Sequence, residues 1–202
     1  MKRLLACLLL VISLVLKFNV NVKAENISDF QIEGMSIGDT LLNYMKENLI
    51  INEINNKDIS YYYDDDFVVI STWEIRNKFN TYDDIGVILK QNDKNYIIYG
   101  LEGTLYMDKN SSIDECYKIQ NKIVKDIKKS LNLKTSGDIW YVEKENLHKH
   151  QLSVKYVDFE LPEGGAIRTT CYEIKKGVRK YSDVNLLYVT VNSKLFWRYL
   201  NY

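Results

Sequence analysis

The stretch that decides the fold runs from Asn110 to Leu131 and reads NSSIDECYKIQNKIVKDIKKSL. On a helix of about 3.6 residues per turn, its apolar and its charged residues separate onto opposite faces. The apolar face takes Ile113, Cys116, Tyr117, Ile119, Ile123, Val124, Ile127 and Leu131. The polar face takes Asp114, Glu115, Lys118, Asn121, Lys122, Lys125, Lys128 and Lys129. The pattern predicts an amphipathic helix with its cysteine on the buried side.

The ends of this helix also carry sequence signals. Ser112 and Glu115 have the three-residue spacing of a capping box, in which each side chain bonds the other residue's backbone N–H. The lysines at 128 and 129 complement the negative end of the helix dipole. Gln120 is the one polar residue in the apolar arc, and we expect it to make a buried hydrogen bond.

The first 24 residues have the parts of a secretory signal peptide. A basic head at Lys2 and Arg3 precedes an apolar run from Leu4 to Leu16, and the small Ala24 follows. The alternative is a retained membrane anchor, but the run falls short of the roughly 20 apolar residues that a bilayer requires. We therefore expect cleavage after Ala24, no stable membrane span afterwards, and a periplasmic or secreted protein.

The charge balance argues against nucleic acid as a partner. The chain holds 27 basic and 27 acidic residues, and the predicted leader contains four of the basic residues and none of the acidic ones. The remaining chain is therefore mildly acidic. A nucleic-acid-binding domain normally shows the opposite balance.

Cleavage of the leader also removes Cys7, so Cys116 and Cys171 remain as a pair. An even number of cysteines in an exported chain predicts a disulfide. Two separate buried thiols are the alternative. The pairing would tie the helix at 112–131 to a strand later in the chain.

Residues 25–202 suit a single domain, because they are enough to bury a core and contain no linker-like run. Ser36 and Asp39 have the three-residue spacing of a capping box, and Ile37, Leu41, Met45 and Leu49 recur every four residues, which predicts a first helix over 37–49. Residues 73–80 fit either a short helix or a loop. The chain ends in an apolar and aromatic segment, 193–202, that fits a short helix or strand packed on the body.

Two hairpins and a further strand are predicted between these helices. Two segments have residues typical of hairpin turns: the Asn and Asp at 91–95, and Pro162-Glu163-Gly164-Gly165. Tyr99 and Leu101 would share a face if alternation held, but Gly100 and Gly103 indicate a bulge. The predicted strands cover residues 85–89, 96–107, 152–161, 166–174 and 184–191, the last being apolar on both faces and so central. We predict an α+β fold: an antiparallel sheet of meanders and hairpins covered on one face by two main helices.

The run DFQIEGMSIGDTLLNYM, from Asp29 to Met45, resembles the opening of a group of small uncharacterised exported proteins from marine bacteria. That group shares a signal peptide, a DFxIEGxSIGDxLLxY start, an NDKxYxIxxLxG hairpin and a later helix with a cysteine. The hairpin matches residues 92–98 with Gly103, and the helix matches residues 114–117. The resemblance implies an exported or periplasmic protein and brings no activity or binding residues with it.

No motif assigns a catalytic chemistry. The chain lacks G-x-S-x-G, C-x-x-C, H-E-x-x-H and G-x-G-x-x-G patterns. His148 and His150 would share one side of a strand, but two ligands do not make a metal site, and an exposed loop is the simpler interpretation. Asp64, Asp65 and Asp66 lack the ligand spacing of a calcium loop and are interpreted as a solvated turn. We therefore assign no catalytic residues, cofactor or metal.

Three functional hypotheses follow. The first is a binding or interaction module of the cell envelope, whose partner is an envelope protein or ligand. The 16 tyrosines would supply contact area, although tyrosines also fill sheet faces without binding anything. The alternative is a small secreted hydrolase that uses acidic residues, and a third is a metal carrier using His148 and His150. A flat tyrosine-rich face would favour the binder, and a cleft with converging carboxylates would favour the hydrolase.

Overall fold

The computed structural model describes residues 26–56, 61–63, 66–131, 140–148, 152–173 and 184–200. The predicted leader, the acidic residues at 64 and 65, and His150 lie outside these ranges. Within the described ranges, no helix combines the length and apolar character that a membrane crossing would need.

Two antiparallel meanders of four strands each join into one sheet. The strands of this sheet are β3 (Tyr61–Tyr63), β4 (Phe67–Ser71), β5 (Asp84–Lys90), β6 (Ile98–Tyr106), β7 (Trp140–His148), β8 (Leu152–Glu160), β9 (Ala166–Glu173) and β10 (Leu186–Asn192). Their order is β3-β4-β5-β6-β10-β9-β8-β7, so the meanders meet where β10 pairs with β6. Strands β1 (Gln31–Ile32) and β2 (Met35–Ser36) form a separate small hairpin. The predicted antiparallel sheet and the central position of β10 are confirmed.

Helices lie on both faces of this sheet. The described α-helices are α1 (Glu47–Asn55), α2 (Ile113–Ser130) and α3 (Lys194–Leu200). Ile50 of α1 and Val124 and Ile127 of α2 share one core cluster with Val87 and Leu101 of the sheet. Two helices therefore cover one face, as predicted, and we call it the helix face. Short 3-10 helices span Ile27–Asp29, Leu41–Asn43 and Trp73–Lys78.

Helix α2 matches its prediction except at its first turn. It begins after Ser112 and buries Cys116, Gln120, Val124 and Ile127. The predicted capping box is wrong, since the Ser112 side chain makes no capping hydrogen bond. The Glu115 amide instead donates to the Ser112 carbonyl at 3.1 Å, so the backbone closes this turn.

Gln120 makes the buried hydrogen bonds expected of it. Its amide nitrogen donates to the carbonyls of Lys155 and Thr169 at 3.1 and 3.0 Å. These carbonyls belong to neighbouring strands β8 and β9. The side chain therefore fixes α2 against two strands at once, which accounts for a polar residue in an apolar arc.

Cys116 and Cys171 form the predicted disulfide, with their Cα atoms 6.0 Å apart. Both residues are fully buried, in a cluster that includes Met107 just after β6 and Leu187 of β10. The covalent bond joins α2 to β9, while the surrounding packing reaches the strands on either side of the junction between the meanders. The bond therefore holds the two halves of the sheet together.

The helix predicted over 37–49 is wrong. Gly38 has a φ of +92° in a turn, and the α-helix starts only at Glu47. The amides of Gly38 and Leu41 donate to the carbonyls of residues 98 and 96, each at 2.9 Å. Because these amides bond to the first residue of β6 and to the segment just before it, they are not available to a helix. Leu41 and Met45 are still buried, so the apolar spacing identified core positions correctly.

Glu33 fixes the β1–β2 hairpin to the segment before β5. Its carboxylate accepts the amides of Asn80 at 3.0 Å, Thr81 at 2.7 Å and Tyr82 at 3.3 Å. Nearby, Asp39 accepts the Ser36 amide at 3.0 Å and the Tyr44 hydroxyl at 2.6 Å. Glu33 and Asp39 therefore accept the hydrogen bonds that order the loops around this hairpin.

A bulge lies in β6, as its glycines indicated. Ile88 pairs with Gly100 and Leu89 with Ile98, so Tyr99 has no partner in β5. The extra residue reverses the alternation at this point. Tyr99 therefore packs with Phe67 on the face opposite the helix face, and not beside Leu101 as strict alternation would predict.

Reduction of the disulfide tests its contribution to stability. The bond closes 55 positions of chain, and loop entropy predicts a loss of about 4 kcal/mol in the free energy of unfolding when it is broken. Urea unfolding with and without reductant measures this loss. A Cys116→Ala/Cys171→Ala double variant should show no further change with reductant. An unchanged urea midpoint for the reduced wild type would contradict the prediction.

Candidate binding surface

Several tyrosines share the sheet face opposite α1 and α2, which we call the tyrosine face. Residues directly opposite each other on neighbouring strands project to the same face. Tyr156 and Tyr188 both lie opposite Thr170, while Tyr172 and Tyr106 both lie opposite Leu186. The bulge adds Tyr99 to the same side. The members are therefore Tyr99, Tyr106, Tyr156, Tyr172 and Tyr188.

Arg168 and Asp158 form a bidentate ion pair on this face. The two residues lie directly opposite each other on β9 and β8. Arg168 Nε is 2.5 Å from Asp158 Oδ1, and Nη2 is 2.7 Å from Oδ2. Hydrogen bonding to Asp158 raises the pKa of Arg168, although burial acts to lower it. This geometry fixes the plane of the guanidinium group.

The fixed guanidinium group contacts two aromatic rings. Its carbon is 4.8 Å from the ring centroid of Tyr156 and 5.2 Å from that of Trp197. Trp197 belongs to α3, so the cation–π contact attaches this helix to the sheet. Phe196 of the same helix packs on Phe67 of β4, with their ring centroids 5.1 Å apart. Helix α3 is thus held at both the β4 and the β9 sides of the tyrosine face.

The rest of the tyrosine face is partly open to solvent. Tyr106 is 44% exposed, and Tyr172 and Tyr188 are half-buried with ring centroids 5.3 Å apart in an edge-to-face arrangement. Thr170 and Thr104, the cross-strand neighbours of Tyr188, are small and buried between larger side chains. The face therefore offers tyrosine rings and hydroxyls on a rigid sheet, which is the composition of protein interaction surfaces.

A second feature is an acidic group at the end of α1. Glu53 is 7% exposed, and its pKa is raised by burial and then by the charges of Glu74 and Asp84. Asp84 accepts the Ser71 hydroxyl at 3.0 Å and the Ile85 amide at 2.9 Å. A raised carboxyl pKa beside other carboxylates is the condition for acid catalysis. Glu53, however, lies on the buried side of α1, where a substrate would have to displace packed side chains.

The histidine hypothesis gains no support from the described residues. His148 ends β7, and His150 lies outside the described ranges. Within those ranges, no three histidine, cysteine, aspartate or glutamate side chains come together in an arrangement that could hold a metal ion.

Comparison with models of protein families, with curated proteins and with solved structures finds no match to this chain.

The Arg168–Asp158 pair was missed by sequence reasoning, although the sequence contains a signal for it. Asp158 lies three residues before Leu161, and Arg168 lies three residues after Gly165. Because the hairpin closes with the Leu161 amide donating to the Gly165 carbonyl, these two positions must pair. Matching opposite charges by their distance from the turn would have identified the ion pair.

Substitution of Arg168 tests the role of the bidentate pair. Arg168→Lys keeps the charge but cannot form the planar fork or the same ring stacking. We expect the free energy of unfolding to fall by about 2 kcal/mol, as for loss of a charged hydrogen bond. Arg198→Lys, on the exposed side of α3, should change it by less than about 0.5 kcal/mol. Equal effects of the two variants in urea unfolding would contradict this role.

The pH dependence of stability tests the state of Glu53. Because its pKa is raised in the folded protein, the folded state keeps a proton that the unfolded chain releases. The free energy of unfolding therefore falls as pH rises above the ordinary carboxyl pKa of 4.5. Glu53→Gln lacks this loss, so it should match the wild type at lower pH and exceed it increasingly towards neutral pH.

Urea unfolding across this pH range measures the difference between the two proteins. Glu163→Gln, at the exposed turn between β8 and β9, serves as the control and should show no such divergence. Parallel pH profiles for Glu53→Gln and the wild type would show that the pKa of Glu53 is not raised.

Proposed function

We propose that this protein is an exported binding module of the cell envelope that contacts its partner through the tyrosine face. The observation that carries the proposal is the placement of five tyrosines on one sheet face, beside the fixed Arg168 and Trp197. Tyrosine supplies large contact area with few rotatable bonds, and tyrosine, tryptophan and arginine are the residue types most enriched at binding hot spots.

Export is supported by two independent features of the chain. The first 24 residues combine a basic head, an apolar run and a small residue at the exit. The buried Cys116–Cys171 bond is of the kind that persists in oxidising compartments and is rare in the cytosol. The resemblance of residues 29–45 to exported proteins of marine bacteria agrees with both features. Together they favour a periplasmic or secreted location.

The partner favoured by this surface is an envelope protein or another uncharged or mixed-charge ligand. The ion-paired Arg168 is neutralised by Asp158, so the centre of the face carries no unbalanced positive charge for a polyanion. The mildly acidic balance of residues 25–202 also argues against nucleic acid. A partner that binds the tyrosine face would therefore contact mainly aromatic rings and tyrosine hydroxyl groups.

A secreted hydrolase that uses acidic residues remains the second candidate. The raised pKa of Glu53 beside Glu74 and Asp84 is the observation in its favour. The burial of Glu53 opposes it, because a general acid must reach the bond that it protonates. We therefore place the binding function first.

Affinity capture from the native envelope tests the binding function. The wild type should retain a reproducible partner after chemical crosslinking. Tyr106→Ser/Tyr172→Ser should lose that partner, because both changes remove ring area from the tyrosine face. Tyr117→Ser, on α2 at the opposite side of the sheet, is the matched control and should retain it.

The folding of each variant is checked by urea unfolding before capture. Retention of the same partner by the Tyr106→Ser/Tyr172→Ser variant would exclude the tyrosine face as the contact. Recovery of the wild type only from the cytosolic fraction would refute the proposed location.

A further inference from the structure

The exposed side of α2 carries a row of four lysines, which we call the lysine stripe: Lys118, Lys122, Lys125 and Lys129. Successive spacings of four, three and four residues place them along one line of the helix. All four are exposed, and the stripe extends over about 16 Å at about 1.5 Å per residue. The opposite side of α2 is occupied by the disulfide and the core, so the stripe faces away from the sheet.

Three acidic residues of α2 lie near the stripe, because Asp114, Glu115 and Asp126 are each three or four residues from one of its lysines. No described carboxylate forms an ion pair with any of these four lysines. The spacing brings Lys118 close to Lys122, Lys122 to Lys125, and Lys125 to Lys129, and like charges so placed destabilise a helix. Asp114 and Glu115 lie in the first turn, where the helix dipole favours them. Four lysines against three acidic residues leave the exposed side of α2 with an excess of positive charge, and the lysines alone form a continuous row.

We propose that the lysine stripe docks this protein on an anionic phospholipid surface. Charge complementarity carries the proposal, because a straight row of exposed ammonium groups can meet a plane of phosphate groups along its whole length. Each lysine held near such a surface strengthens membrane partitioning by about fivefold. The stripe contains no apolar side chain to insert, so the attachment is reversible and sensitive to salt.

Docking through the stripe has a consequence for the tyrosine face. Helix α2 packs on the helix face, and the tyrosines project from the other side of the same sheet. A protein held by its lysine stripe would therefore present its tyrosine face away from the bilayer. The inference does not depend on the tyrosine face having a partner, and each can fail alone.

Co-sedimentation with lipid vesicles tests the proposal. The protein is recovered from cells in the form that export leaves and is mixed with phosphatidylcholine vesicles with or without about one third phosphatidylglycerol. The ratio of the two partition coefficients reports the electrostatic contribution, whatever apolar binding also occurs. At about 0.05 M salt we expect this ratio to be far above one, and at about 0.5 M salt to fall close to one.

The matched variants both remove four positive charges. K118Q/K122Q/K125Q/K129Q should lower the partition coefficient on anionic vesicles by about a hundredfold or more, from about fivefold for each lysine. K46Q/K78Q/K90Q/K94Q removes four exposed lysines elsewhere and should lower it by less than about fivefold. If the first variant is unstable in urea unfolding, K118Q/K122Q and K125Q/K129Q are used separately. Each pair should account for about half of the logarithmic loss.

Three results would overturn the proposal. The wild type could partition equally on the two kinds of vesicle at low salt. The two quadruple variants could lose binding equally, which would make net charge and not the stripe responsible. The wild type could bind soluble polyphosphate in equilibrium dialysis as strongly as it binds anionic vesicles, which would identify a soluble polyanion as the partner.

Discussion

The pairing of β10 with β6 is the contact on which the rest of this structure depends. Each meander forms from local hairpins, but the two meanders become one sheet only through this long-range ladder. Helix α2 crosses the junction on the helix face, where its buried side meets residues from β6, β9 and β10. The Cys116–Cys171 bond and the two hydrogen bonds from Gln120 then fix the helix to the second meander. The junction is therefore held by a ladder, a covalent bond and a polar contact together.

This arrangement leaves the two faces of the sheet with different chemistry. The helix face is covered by the apolar sides of α1 and α2, so the sheet itself is not exposed there. The tyrosine face is covered only in part, by α3, which is held through Phe196 on one side and Trp197 on the other. Because Arg168 is fixed by Asp158 and contacts two rings, the aromatic side chains around it are pre-organised. Pre-organised side chains lose less entropy when a partner binds.

Local patterns in the sequence predicted the elements whose hydrogen bonds are local. The apolar period predicted α2, and the residues at 162–165 predicted the hairpin turn between β8 and β9. The disulfide was predicted separately, from the even number of cysteines that remain after the leader. The helix predicted over 37–49 is wrong because the amides of Gly38 and Leu41 bond to the start of β6 and to the segment just before it, contacts that no local pattern indicates. Similarly, Glu33 binds amides 47 to 49 positions later in the chain.

The sequence predicted which residue type would form the candidate binding surface, but not where its residues would lie. The count of tyrosines indicated a contact surface, but their common face depends on the register between strands and, for Tyr99, on a bulge whose position the glycines only approximated. The ion pair between Arg168 and Asp158 follows from the hairpin turn once the turn closure is known. The sequence predicted that the aromatic segment 193–202 packs on the body, but it did not predict the contact between Trp197 and Arg168, because that contact depends on α3 folding onto the tyrosine face.

The account depends most directly on the state of the two cysteines in living cells. Rapid alkylation of intact producing cells, followed by mass spectrometry of the unreduced protein, measures that state. The disulfide and the proposed export together predict a chain that begins at Glu25 and carries no alkyl group on Cys116 or Cys171. Recovery of a chain with both cysteines alkylated would contradict the clamp at the junction and the export of the protein together.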